Sequence, residues 1–398
     1  MSGPSRSGNL PSPAVAIEES SARGLVRVLH INAGNLYGGV ESILVTLARF
    51  RSACPAMASH FALCHEGRLS NELKDAAVPV YLLGGVRISR PWTIWRARRR
   101  LRRLLRLERF DLVICHMPWS LAVFGKAVRD THQRLGFWAH GFHTGRSWLE
   151  RLALRMPPDL AIANSHFTET GLSNLFPASP RTVIYPPVGL NAGPAGTERS
   201  KVREQLGAGE DTVVIIQVGR MEAWKGHALH LEALAQLKVA AKWTCWMVGG
   251  AQTQVEEEYF AKLEKMAGQL GIAGQVRFLG QRSDVAELLA AADIFCQPNA
   301  APEPFGIVFV EALRAGRPVV STALGGALEI VDQSCGLLVV PDSPDALAAA
   351  LEQLILNLEL RARLSGGGTA RAAELCDPAT QMKRLMEFSR APAFDRPV

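Results

Sequence analysis

Short apolar runs, each closed by glycine or a polar pair and followed by a stretch of helical periodicity, recur along most of the chain. Residues 25–33 (LVRVLHINA) are the first such run, rich in β-branched residues, and predict a buried strand. A glycine loop with Gly38 and Gly39 follows, then helical spacing over 40–50. Further strands are predicted over 60–64, 78–83, 111–116, 135–139, 159–163 and 181–185. Helices fall over 93–107 and 119–128, with another starting at Ser165 or His166. Residues 186–210 break the rhythm with Pro186-Pro187 and a Gly/Pro/Ala segment. A second series then begins, with strands over 213–218, 243–248, 276–279, 294–297, 318–322 and 336–340. Its helices are expected over 227–237, 256–270, 284–292 and 344–357, with more to the chain end.

Strands alternating with helices imply parallel sheets covered on both faces, here in two doubly wound α/β units facing a cleft. The division is a tail at 1–22, a first domain at 23–188, a linker at 189–210 and a second domain at 211–375. Residues 376–398 are expected to form a helix packing back on the first domain. In such sheets ligands meet the carboxyl ends of strands. That rule selects Gly38, Gly39, His116, His140, Asn164 and Ser165 in the first domain.

Composition adds limits. With 398 residues, 48% hydrophobic and 20% charged, the chain has the balance of a water-soluble two-domain protein. No apolar run is long enough to span a bilayer. The polar, Ser/Pro/Gly-rich start lacks a basic segment followed by an apolar core, so no signal peptide is expected. Seven scattered cysteines without a CxxC pair read as reduced, buried thiols of a cytoplasmic protein. There is no HExxH, no DxD pair and no EF-hand loop, so no metal site is predicted.

The formal net charge is +7, and much of the excess lies in residues 87–109, RISRPWTIWRARRRLRRLLRLER. The leucines and tryptophans gather toward one side of a helix and the arginines spread over the rest. Three readings stay open: a solvated basic face, a surface for anionic lipid headgroups over residues 96–106, and a nucleic-acid contact. No nucleic-acid motif accompanies the run, and nucleic acid is not expected as a partner.

Two stretches carry chemistry. Arg220 and Lys225 flank a loop after the strand at 213–218, where paired cations can neutralise a departing diphosphate. The second is Pro302 to Pro318 (PEPFGIVFVEALRAGRP). Its prolines keep Glu303 in a loop, Gly306 admits a close backbone approach, and Glu311 lies inside the helix that begins there. Free amides at that helix start can face an anion.

These elements appear in the order found in retaining glycosyltransferases of family 4, with the GT-B fold. The matching pieces are Gly219-Arg220 with Lys225-Gly226, Gly249-Gly250, Glu303-Pro304-Phe305-Gly306 with Glu311-Ala312, and Gly316 with Pro318-Val319-Val320. Gly325-Gly326 with Glu329-Ile330-Val331, and Gly336 before Pro341, complete the set. The second half therefore resembles the donor domain of that family nearly throughout. The first half resembles it through Gly38-Gly39-Val40-Glu41, His140 and Ala163-Asn164-Ser165.

The resemblance implies roles. Arg220 and Lys225 hold the donor diphosphate; Glu303 contacts the transferred sugar and Glu311 the ribose. Amides at Phe305, Gly306, Ile307 and Val308 meet phosphate or sugar oxygens. Gly38, Gly39 and Gly219 let backbone approach the donor, and Arg282 faces the base. His140 orients the reacting sugar, while His116, Asn164 and Ser165 serve the acceptor. The implied enzyme is a hexosyltransferase-type glycosyltransferase in polysaccharide or glycolipid biosynthesis. It needs no metal or other cofactor, and its partners are a nucleotide-sugar donor and a saccharide or lipid-linked acceptor. A cytoplasmic protein, peripheral on the inner membrane face, fits that acceptor. The alternatives are a nucleotide-sugar epimerase and a non-catalytic nucleotide-sugar-binding protein. Two positions depart from the pattern. Arg314 replaces a small or apolar residue and is expected to reach the surface or another subunit. Ala301-Pro302 stands where Ser or Asn with Arg or Tyr is commoner.

Overall fold

A computed structural model describes residues 24–189 and 196–391. The expected tail at 1–22 lies outside the described residues, as do 190–195 of the expected linker and the last residues of the chain. Seven strands build the first sheet: β1 (Val26–Asn32), β2 (Met57–Leu63), β3 (Val80–Leu82), β4 (Leu112–His116), β5 (Leu135–Ala139), β6 (Leu160–Ala163) and β7 (Arg181–Val183). Six build the second: β8 (Val213–Val218), β9 (Trp243–Val248), β10 (Val276–Gly280), β11 (Ile294–Gln297), β12 (Val319–Thr322) and β13 (Gly336–Val339). Their orders are β3-β2-β1-β4-β5-β6-β7 and β10-β9-β8-β11-β12-β13, with every pairing parallel. This is the two-sheet GT-B architecture.

The apolar runs explain the layering. A parallel strand has both faces buried, so its side chains alternate between two cores. On β1, Leu29 and Ile31 join Val113, Phe137 and the helix Pro91–Leu107 on one face. Val26 and Val28 face the other way, toward Ile114, Trp138 and the helix Gly39–Arg49. β8 divides likewise: Val214 and Ile216 pack with Phe295 and Phe309, whereas Val213 and Ile215 pack with Met247 and Leu351. All seven cysteines are buried and free, shared between the two sheets and their helices.

Each sheet changes winding direction once, between β1 and β4 in the first and between β8 and β11 in the second. Ligand crevices open at such points. Glycine-rich and polar segments therefore line one edge of each sheet, and the two edges approach each other.

Composition alone misreads part of the connection. Residues 196–205, inside the expected linker, form a helix. Arg199 binds Asp293 and the carbonyls of Ala290 and Ala292, and Arg203 also binds Asp293. Asp293 in turn accepts from Val214 N–H at 2.8 Å. The helix is thus fastened to the second domain by charge. Two crossings join the halves side by side, where Val188 N–H donates to the Cys376 carbonyl at 3.0 Å. Arg314 donates to the Val188 carbonyl, so it reaches the domain junction of its own chain instead of a free surface or a second subunit. The last helix, Pro378–Arg390, is capped by Asp377 and lies on the first domain. Met382, Leu385 and Met386 enter its core, and Arg134 holds the carbonyls of Ser389 and Ala391.

Candidate active site

The loop after β8 carries the cations. Gly226, with φ +73°, ends a short turn over Ala223–Lys225. A Cβ there would come 1.7 Å from the Pro298 carbonyl oxygen, so only glycine lets this turn press against the end of β11. The approach places Lys225 Nζ 2.5 Å from the Glu303 carboxylate, and both side chains are nearly buried. Lys225 also sits 4.0 Å from the centre of the Trp224 ring.

A polar lattice supports the pair from behind. Gln217, the one polar residue of β8, donates to the Lys225 carbonyl at 2.8 Å and pairs with His230 at the same distance. Gln297, at the end of β11, donates to Asn299 Oδ1 at 3.2 Å, and Asn299 donates to Glu303 at 3.3 Å. These bonds tie the amides to one another and to the pair, although Gln297 Oε1 and His230 Nε2 are buried without a partner in the protein. Sequence reasoning missed Gln217, Gln297 and Asn299. The available signal was polar side chains at the carboxyl ends of otherwise apolar strands.

The backbone of Glu303 is fixed as well. It bridges to Gly325, and its carbonyl accepts from Gly326 N–H at 2.7 Å. The helix Ile307–Arg314 starts immediately beyond, after Gly306. Phe305 is fully buried, so it offers only its backbone to a ligand. The amides of Ile307 and Val308 lie in the helix's first turn and have no partner within it. Glu311, one turn further, is half-buried; its carbonyl accepts from Ala315 N–H at 3.0 Å, but its carboxylate has no hydrogen bond or ion pair among the described residues. Burial pushes its carboxyl above the usual range.

Arg220 lies at the same edge, partly exposed, and is held by Glu256 and by Glu222, the latter at 3.2 Å. Glu256 was also missed; it stands in the first turn of the helix Gln254–Gln269, which Thr253 caps. The Thr-x-x-Glu spacing after Gly249-Gly250 carried that signal. Arg282 is clamped by Asp284 at 2.6 and 2.8 Å, and no hydrogen bond or ion pair joins it to Arg220, Lys225 or Glu303 among the described residues.

The first domain meets this loop directly. Gly39 opens the helix Gly39–Arg49, and a Cβ there would stand 3.2 Å from Ile307 Cδ1. Gly38 N–H is tied to the Glu41 carboxylate at 2.9 Å. Ser165 donates to the Pro304 carbonyl at 2.5 Å. Glu329 accepts from the backbone N–H groups of His166 and Phe167 at 2.9 and 2.7 Å, closing the amino end of a helix in the opposite domain.

Three expected acceptor contacts are placed differently. His116 is 2% exposed, and both of its ring nitrogens are engaged by His30 and His140. It lies behind His140 and does not face the cleft. Asn164 is buried and accepts from Thr168 at 2.7 Å. Ser165 is buried, caps the helix His166–Leu175 and bonds Pro304. A polar pair at a strand end reads as a binding site in sequence, but here it starts the next helix and seals the domain contact.

Two doubly wound units, with cations at the switch point of the second and carboxylates on either side of a helix start, define a protein of the GT-B class. Comparison with known proteins supplies the family. The profile for Glycosyltransferase Family 4 matches residues 37–191, and that for Glycosyl transferases group 1 matches residues 198–371. The chain belongs to this family. A D-inositol 3-phosphate glycosyltransferase of Nocardioides sp. is 31% identical over 251 residues, covering 59% of this chain and 54% of that protein. The lipopolysaccharide core biosynthesis glycosyltransferase LpsE of Rhizobium meliloti is 33% identical over 167 residues, covering 42% and 46%. The chain thus spans about half the length of these curated relatives. Anabaena HepE, solved in complex with UDP and glucose, superposes with a TM-score of 0.78 at 26% identity, covering 91% of this chain and 98% of that one.

Proposed function

We propose that the protein transfers a hexosyl group from a nucleotide sugar to a saccharide or lipid-linked saccharide acceptor, with retention of anomeric configuration. The carrying observation is the Lys225–Glu303 pair at the switch point of the second sheet, with Arg220 beside it. Departure of the nucleotide builds negative charge on its phosphate and positive charge on the sugar. Arg220 and Lys225 suit the first and Glu303 the second, so this reading needs no metal. The amides of Ile307 and Val308 suit oxygens between, and Glu311 suits the ribose. A UDP-sugar is the first donor to test, because HepE, of the same fold, was solved with UDP.

The acceptor reading rests on the helix Pro91–Leu107. Trp92, Trp95 and Leu107 are exposed on it, and Arg96, Arg99, Arg103 and Arg106 are exposed with no acidic partner among the described residues. Arg98 and Arg100 donate instead to the carbonyls of Val123 and Leu83, and Arg102 pairs with Asp130. Exposed arginine interleaved with tryptophan suits an anionic lipid surface. No helix among the described residues is long and apolar enough to cross a membrane. A peripheral site on the cytoplasmic membrane face, with a glycolipid acceptor, is the reading this supports.

A panel of UDP-, GDP- and ADP-sugars, incubated with short saccharide and glycolipid acceptors, tests the proposal by product analysis. Elongated acceptor with the donor's anomeric configuration is expected. Epimerised nucleotide sugar without acceptor consumption would refute transfer. For the membrane face, co-sedimentation with phosphatidylglycerol-containing vesicles should exceed that with phosphatidylcholine vesicles. An R96E/R99E/R103E variant should lose the difference.

A further inference from the structure

Three imidazoles form a continuous row across three neighbouring strands of the first sheet. His30 on β1 places Nδ1 3.0 Å from Nε2 of His116, the last residue of β4. His116 Nδ1 lies 2.8 Å from Nε2 of His140, just past β5. The row has a closed end and an open end. His30 is fully buried and stacks on Phe61, whereas His140 reaches the cleft edge and is partly exposed. Trp138 stacks against both His116 and His140, fixing the ring planes. All three are neutral: burial lowers His30 and His140 to about 3 and His116 well below its ordinary value.

A neutral imidazole has one donor and one acceptor nitrogen. Both contacts run from Nδ1 of one ring to Nε2 of the next, so the rings must share a tautomer. Either every Nδ1 carries the proton or every Nε2 does. The ends decide. His30 Nε2 and His140 Nδ1 are both buried atoms without a partner in the protein. A proton on His30 Nε2 would be a permanently orphaned N–H inside the core, a rare and costly arrangement. Both end atoms are shielded in the free protein, but the His140 side chain is partly exposed at the cleft edge whereas that of His30 is wholly enclosed, so only at His140 can a small shift of the ring bring the N–H to a ligand oxygen. The row therefore points its donors toward the cleft.

We infer that His30 and His116 are positioning residues that lock His140 as the Nδ1–H tautomer, so that it meets the substrate as a hydrogen-bond donor. This rests on the reading that His140 faces the donor sugar, but the tautomer itself is a property of the free protein. His30, deep in the sheet and remote from the Lys225–Glu303 pair in the sequence, thereby sets the hydrogen-bonding sense of a cleft residue.

The experiment reads tautomer and turnover separately. The full chain, labelled with ¹⁵N-histidine, is examined by two-bond ¹H–¹⁵N correlation spectra at neutral pH, with assignment by single substitutions. His30, His116 and His140 should all appear as neutral Nδ1–H rings. An Nε2–H or charged His140, or a mixture, overturns the inference whatever the enzyme's substrate proves to be. In the His116→Phe variant, which keeps an aromatic ring against Trp138, His140 should become a mixture of tautomers. Its kcat should fall about tenfold with donor KM within about twofold. His30→Asn keeps an amide donor for His116, whereas His30→Phe does not. The first should retain the His140 tautomer and most of kcat, and the second should lose both. Equal losses in the two variants would mean that His30 serves packing alone and would overturn its role. These two variants and the wild-type spectrum decide the matter even if His116→Phe does not fold.

Discussion

Lys225 and Glu303, 78 residues apart in sequence, meet as a nearly buried ion pair at the centre of the cleft edge. Each neutralises the other, so neither change is local. Lys225→Ala would leave Glu303 buried without its cation, at a cost of about 3–5 kcal/mol. The melting temperature should fall, and turnover should drop by about 10²–10³. Glu303→Leu combined with Lys225→Met should recover much of the stability but none of the turnover. Scanning calorimetry beside a donor-consumption assay separates the two effects, and near-normal turnover in Lys225→Ala would remove Lys225 from the chemistry.

Glu311 differs because nothing holds it. A half-buried carboxylate without a partner costs stability, and a ribose hydroxyl would supply the missing partner. Glu311→Gln should weaken donor binding by about tenfold or more, leave kcat at saturating donor within a few-fold, and raise the melting temperature. Its carboxyl lies above the usual range, so donor affinity should decline as pH falls through that raised value. Calorimetric titration with nucleotide at several pH values checks both points.

Glu329 joins the domains by capping a helix across the boundary, with Tyr185 O–H also donating to it at 3.1 Å. A carboxylate at a helix amino end contributes about 0.5–2 kcal/mol. Glu329→Ala should widen the domain arrangement, seen as a larger radius of gyration in X-ray scattering, and should raise donor KM. An unchanged scattering curve would show that the other boundary contacts suffice.

Acid should unfold the protein readily. His60 and His227 are lowered by burial to about 4, and His30, His140 and His230 to about 3. Between those values and about 6.5, the unfolded chain binds protons that the folded chain refuses. Stability is therefore full above about pH 7 and declines as pH falls, by about 1.4 kcal/mol per unit for each histidine. Several such groups consume much of a typical folding free energy of about 5–15 kcal/mol by pH 5. Urea midpoints at pH 5, 6, 7 and 8 should show this slope; a flat profile would contradict it.

The sheets were legible because strands such as VVIIQV bury both faces and are cut off by glycines, a pattern that does not depend on distant residues. The cations and carboxylates were legible as spaced groups at strand ends. Their neighbours were not. That Glu256 holds Arg220, that Asp293 fastens residues 196–205, and that Arg314 binds the Val188 carbonyl are contacts between distant segments. No local period encodes them. His116 shows the opposite error: its strand-end position was read correctly, but exposure depends on what the next strand brings over it, here His140 and Trp138.

The seven free cysteines have a practical consequence. All are buried, and burial pushes the thiols of Cys64 and Cys115 up to about 12 and that of Cys296 well above the ordinary value. Thiolate, the reactive form, is then scarce in the folded protein at neutral pH. Thiol reagents should modify the chain only when a domain opens. Cys64 and Cys115 lie in the first sheet's domain, Cys245 and Cys296 in the second's. The order in which mass spectrometry finds them labelled is a built-in clock for which half of the molecule breathes first, and bound nucleotide should slow the second pair more than the first.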